Sequence, residues 1–176
     1  MTNQPLDRSR THLVNRYFTP LAVLLVANGI ILAELPLMSR AVSAGLLVFS
    51  ILFNSMSIGW IDRGDAAQGG RLRLRIYVNF AVSVLQVYIL GQAWPPAWLL
   101  LMLTPVASAI YGARNNTFLF SFLAFAAILV LHALRGPSGP IAWAMQVNCG
   151  AFIILMSLAL YELSQIIRTE RADNDQ

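Results

Sequence analysis

Six long apolar stretches fill most of this 176-residue chain. Each is about 17 to 25 residues long, and a helix needs roughly 20 apolar residues to cross a hydrocarbon core about 30 Å thick. The stretches cover Phe18–Pro36, Ala41–Trp60, Ile76–Gln92, Pro96–Gly112, Thr117–Leu134 and Ile141–Ser164. The pattern predicts an all-α polytopic membrane protein, a bundle of six transmembrane helices.

The arginines are distributed unevenly among the connections. Ten of the twelve lie in the N-terminal tail, the second and fourth connections and the C-terminal tail, whereas the other connections hold only Arg40 and Arg135. Loops that carry Lys and Arg stay in the cytoplasm. The distribution therefore predicts that both termini are cytoplasmic.

The composition argues against a soluble domain and against a nucleic-acid-binding protein. Charged residues make up 11% of the chain, compared with roughly 25% in soluble domains. Segments such as Leu21–Val26 are apolar on all sides, whereas a surface helix of a soluble bundle keeps a polar face. The basic clusters lie just outside the spans, where orientation and attraction to anionic lipids explain them. The predicted partner is the lipid bilayer, and no nucleic acid is expected.

Residues suited to catalysis or metal binding are scarce. The chain has two histidines, three glutamates and one cysteine, Cys149, which lies inside the sixth stretch. It contains no His-Glu-x-x-His run, no Gly-x-Ser-x-Gly elbow and no C-x-x-C pair. We therefore expect no enzymatic activity, no catalytic residue, no metal site and no cofactor.

The organisation along the chain indicates one membrane domain with two short tails. Residues 1–17 form a predicted cytoplasmic tail, residues 18–165 the six-helix domain, and residues 166–176 a cytoplasmic helical exit. The longest internal connection, Asp62–Gly70, is too short to separate two domains.

Polar residues inside the spans are the candidates for ligand binding, because ionisable groups are costly there and are often functional. Glu34 and His132 lie near the outer ends of the first and fifth stretches, and Gln86 and Gln146 lie in the outer halves of the third and sixth. These residues predict a polar cup open to the periplasm, to which Tyr88, Gln92 and Asn148 also contribute. Glu34 and His132 are expected to approach each other or a common cavity. The alternative is that Glu34 and His132 lie at the interface and extend to water.

Asn28, Asn54 and Asn79 are further polar residues within the spans. Hydrogen bonds between helices are the expected role for each, worth about 1 kcal/mol. Ligand binding is the alternative.

Two features of the later helices suggest movement. Pro105 lies in the middle of the fourth stretch, where it kinks the helix and is a candidate hinge, the alternative being a packing kink. The apolar spacing of the sixth stretch continues through Leu163 and Ile167 into the C-terminal tail without Gly or Pro. Leu163 and Ile167 are the predicted signal exit, the part of helix six through which movement would leave the bundle towards the cytoplasm. The alternative is a frayed, solvated tail.

The segment Leu103–Arg114, with its mid-helix proline and Gly-x-Arg turn, resembles an element of the six-helix membrane input regions of bacterial sensor histidine kinases. The helical exit around Thr169–Ala172 resembles the start of their signalling helix. Neither a phospho-acceptor helix nor an ATP-binding domain follows before Gln176. The resemblance implies a sensory module in a bacterial inner membrane, with a cytoplasmic signalling partner or a second copy of the chain, and no kinase activity.

Two functions follow as expectations. The first is a sensory or signalling module that transmits a stimulus from the bundle through helix six to a cytoplasmic partner or output domain. The second is a small solute-binding or transport subunit, which would require polar lining beside a broken helix at the midplane.

Overall fold

The computed structural model describes residues 8–61, 68–111, 114–136 and 139–174, and within these ranges the chain is helical with no strand. The helices are α1 (Arg8–Leu32), α2 (Leu37–Ile61), α3 (Gln68–Leu90), α4 (Leu99–Tyr111), α5 (Arg114–Leu134) and α6 (Pro140–Asn174). A short 3₁₀ turn, Pro95–Trp98, precedes α4.

Four of the described helices are long and apolar enough to cross a membrane. They contain the segments Leu37–Ser57, Gly70–Leu90, Arg114–Leu134 and Pro140–Ile167. This finding supports a membrane protein with several spans.

Only four of the six predicted spans are helices of this length in the part of the chain that the structure describes. The apolar parts of the first and fourth helices are shorter, Arg16–Leu32 and Pro95–Tyr111. In α1 the eight residues before Arg16 are helical, and six of them are polar or charged. In the fourth segment the first residues form a 3₁₀ turn whose first two positions are prolines, which are tolerated there because the first N–H groups of a helix have no intrahelical partner.

The chain divides within α4 into two compact units, Met1–Leu101 and Met102–Gln176. In the first unit α2 packs against both α1 and α3. Ser43 and Gln86 join α2 to α3: the Ser43 hydroxyl donates to Gln86 Oε1 at 2.5 Å, and Gln86 Nε2 donates to the Ser43 carbonyl at 2.9 Å. Both side chains are buried. This pair fixes the register of two antiparallel helices.

The second unit is built on the close packing of α5 against α6. The Phe125 ring of α5 lies so close to Gly150 of α6 that a Cβ atom at Gly150 would overlap it. Phe120, Ala124 and Ile153 are buried in this unit. In the lipid phase, where apolar burial drives association weakly, such close approach of small residues is a main source of helix affinity.

Candidate functional site

A cavity of about 390 Å³ lies in the first unit, where α1 ends, α2 begins and α3 ends. Its polar lining consists of Glu34, Ser39 and Gln92. Its apolar lining consists of Leu35, Pro36, Ile89 and Ala93. We refer to it as the Glu34 cavity, and it is the candidate binding site of this unit.

The connection between α1 and α2 forms one wall of the cavity. Pro36 ends the helical hydrogen-bonding pattern, and the Ala33 carbonyl accepts the Leu35 N–H at 3.0 Å. The same carbonyl accepts a hydrogen bond from Arg40 Nη2 at 3.0 Å. A cation at a helix C-terminus also interacts favourably with the helix dipole. Arg40 is therefore tied to the end of α1.

The turn after α3 forms the opposite wall. The Leu90 carbonyl accepts the N–H groups of Ala93 and Trp94 at 3.0 and 2.8 Å. The Trp94 ring then packs against α1 at Gly29, where a Cβ atom would lie 3.0 Å from Trp94 Cδ1. This contact holds Gln92 and Ala93 beside the α1–α2 connection.

The Glu34 carboxylate is the charged group of the cavity. Glu34 is exposed, and it forms no ion pair with any residue in the described ranges. Ser39 is half-buried and Gln92 is exposed, and their side chains likewise make no hydrogen bond to a described residue. The cavity thus presents one negative charge and two further polar groups.

The other predicted ligand residues have different surroundings. Gln86 is bound to Ser43 inside the α2–α3 contact. In the second unit, His132 packs edge-on against Trp143 with ring centroids 4.7 Å apart, and Gln146 is half-buried on α6. The shared site of Glu34 and His132 stays a prediction.

The predicted hinge and signal exit both lie in helices of the second unit. Pro105 is buried inside α4, and Leu163 and Ile167 are exposed on α6. Between the latter two, the Ser164 hydroxyl donates to the Ala109 carbonyl of α4 at 3.2 Å. Ala109 lies in the last turn of α4, where carbonyls lack intrahelical partners. The glycine and alanine of the predicted Gly-x-Arg turn, Gly112 and Ala113, lie outside the described residues.

A polar cluster of Arg75, Asn54 and Asn79 joins α2 to α3, with Arg75 and Asn54 buried and Asn79 half-buried. Asn54 Oδ1 accepts hydrogen bonds from Arg75 Nε at 3.1 Å and from Asn79 Nδ2 at 2.9 Å. Asn54 Nδ2 donates in return to Asn79 Oδ1 at 3.1 Å. The expected interhelical role of Asn54 and Asn79 is confirmed.

Arg75 was missed as a member of this cluster, because its charge was interpreted only as a sign of orientation. Arg75 and Asn79 are four residues apart on α3, and such a pair lies on one helix face. That spacing, opposite an asparagine of the preceding helix, was the available signal.

Among the described residues, no group of three His, Cys, Asp or Glu side chains is placed to hold a metal ion. No protein-family model matches the sequence, and neither do any curated proteins or solved structures.

Proposed function

We propose that this chain is a sensory or signalling module of the bacterial inner membrane, in which α6 transmits a change in the bundle to a cytoplasmic partner or output domain. The observation that carries the proposal is the continuity of α6, a single helix of 35 residues. Its apolar segment ends at Ile167, and the helix continues to Asn174.

The length of α6 favours an extension beyond the bilayer. The 28-residue segment Pro140–Ile167 is about 42 Å long at 1.5 Å per residue, which exceeds a hydrocarbon core of about 30 Å. The polar residues that follow therefore lie beyond the hydrocarbon region. A rigid helix in this position is a suitable carrier of movement between two states.

The contact between Ser164 and Ala109 favours coupling of α6 to α4. It lies near the membrane exit of α6 and at the end of the helix that contains Pro105. A change in the bend of α4 would displace the Ala109 carbonyl, and the hydrogen bond would pass the displacement to α6.

The proposed topology has six spans and two cytoplasmic termini. The shorter apolar segments, Arg16–Leu32 and Pro95–Tyr111, are each about 25 Å long. This is at the lower limit for a span, and local thinning of the bilayer accommodates the difference. The arginine distribution favours this arrangement.

Alanine insertions test the proposed transmission. A histidine-kinase catalytic region fused after Gln176 serves as the output, and one to four alanines are inserted after Leu163. Because each residue rotates a helix by about 100°, autophosphorylation in membranes is expected to rise and fall severalfold with the helical period. Insertion of two glycines is expected to abolish this dependence, because a flexible backbone carries no torque.

The matched control places the same alanine insertions in the fusion linker after Gln176, behind a flexible Gly-Ser segment, where no periodic effect is expected. Expression and size-exclusion profiles show that each bundle is intact. Equal kinase activity in all variants inserted after Leu163 would contradict transmission through α6.

The alternative function is a solute-binding or transport subunit, and the Glu34 cavity supports the binding part of it. The cavity lies at the ends of α1 and α3, whereas transporters bind solutes near the midplane. Its position is better suited to binding at a membrane surface than to passage through the bundle.

A further inference from the structure

We propose that the Glu34 cavity binds a primary ammonium group, carried either by a small soluble amine or by an aminolipid headgroup. This inference concerns binding alone, and it stands whether or not α6 transmits a signal.

The polar lining matches a primary ammonium in number and kind. Such a group carries three N–H donors and no acceptor. Glu34, Ser39 and Gln92 come from three segments of the fold, and their side chains carry a carboxylate, a hydroxyl oxygen and an amide oxygen, each able to accept one of these N–H groups. A hydrogen bond between an ammonium and a carboxylate is among the stronger types, because both groups are charged.

The charges around the cavity favour a cation over an anion. Glu34 is the only acidic residue in the described part of the first unit, and none of those residues forms an ion pair with it. The nearest arginine in sequence, Arg40, is bound to the Ala33 carbonyl and is not part of the lining. An entering anion would meet the Glu34 carboxylate, the one charged side chain among the lining residues.

The remaining lining suits a short carbon chain beside the ammonium. Leu35, Pro36, Ile89 and Ala93 contribute apolar surface. The volume of about 390 Å³ lies at the small end of the range for small-molecule sites. A two- or three-carbon amine, or the headgroup of phosphatidylethanolamine, fits this description.

Thermal unfolding of the purified full chain in a non-ionic maltoside detergent and an amine-free buffer tests the proposal, with ethanolamine as the probe. A ligand that binds the folded state raises the Tm in a saturable way. We expect ethanolamine to raise the Tm of the wild type, and ethylene glycol and acetate to leave it unchanged. Glu34→Gln is expected to lose the effect, and Ser39→Ala to weaken it. The matched control is Glu162→Gln, which removes an exposed carboxylate of α6 and is expected to retain it.

Nanodiscs separate the two sources of the ammonium group. If the source is a soluble amine, ethanolamine stabilises the wild type in phosphatidylglycerol discs and in phosphatidylethanolamine discs. If it is the lipid, phosphatidylethanolamine discs raise the Tm of the wild type relative to Glu34→Gln, and added ethanolamine has no further effect.

Stabilisation that is equal in Glu34→Gln and the wild type in every arm, or that acetate and ethylene glycol reproduce, would overturn the proposal. Should Glu34→Gln not fold, Gln92→Leu and Ser39→Ala carry the same comparison.

Discussion

Replacement of Asn54 by leucine is expected to lower the free energy of unfolding by about 2 to 3 kcal/mol. The Asn54 amide connects Arg75 and Asn79 at the α2–α3 contact, and both its oxygen and its nitrogen are used. An average interhelical hydrogen bond in a membrane contributes only about 0.6 kcal/mol. The expected effect is larger because the substitution removes a hydrogen-bond acceptor from a buried guanidinium, and hydrogen bonds to charged groups contribute more than those between neutral groups.

Unfolding in mixed micelles measures this effect, and a double-mutant cycle with Arg75→Leu isolates its cause. We expect the double variant to be more stable than the sum of the two single losses predicts, because the hydrogen bond between Arg75 and Asn54 is lost in both single variants and is counted twice in that sum. Ser50→Ala is the matched control, since Ser50 contacts Asn54 only at 3.4 Å. An Asn54→Leu variant within about 0.5 kcal/mol of the wild type would contradict the assigned role, because that is the range of ordinary surface substitutions.

Replacement of Gly150 by alanine is expected to cost about 1 to 3 kcal/mol, as overpacking of a close contact does. The added Cβ atom would overlap the Phe125 ring, so α5 and α6 must separate or the ring must move. The same measurement on Gly150→Ala combined with Phe125→Ala tests the cause, since a smaller side chain at 125 provides the missing space.

Gly45→Ala provides the matched control for this substitution. Gly45 also lies in a helix, but a Cβ atom there meets nothing within 4 Å. The change is expected to be neutral or stabilising by up to about 1 kcal/mol, because alanine favours helix over glycine. Equal effects at Gly45 and Gly150 would show that backbone propensity, and not the Phe125 contact, determines the result.

The sequence alone predicted the features that depend on local composition. Long apolar runs predicted the helices, and the asparagines within those runs predicted hydrogen bonds between helices, as Asn54 and Asn79 form. These predictions succeed because lipid leaves a buried amide few partners other than another helix. Lengths were less predictable, since the α-helical part of the fourth segment begins only after Pro95–Trp98.

The features that depend on tertiary geometry were less accessible. Gln86 has the composition of a ligand residue, yet its partner is Ser43 on the preceding helix, and only the register of α2 and α3 shows this. The Glu34 cavity likewise depends on the Trp94–Gly29 contact, which brings the turn after α3 against α1. Neither register nor turn packing follows from the periodicity of a single helix.

Reporter fusions at Ser39, Gln68, Asn115 and Gln176 test most directly whether the bundle crosses the membrane six times and sends α6 into the cytoplasm. Six spans with cytoplasmic ends predict a periplasmic reporter at Ser39 and cytoplasmic reporters at the other three positions. If only the four long helices cross and the N-terminus is cytoplasmic, the Ser39 reporter becomes cytoplasmic and the Gln68 reporter periplasmic. With a periplasmic N-terminus, Asn115 and Gln176 become periplasmic instead. Either of these two patterns would contradict the six-span arrangement, and a periplasmic Gln176 would also exclude transmission from α6 to the cytoplasm.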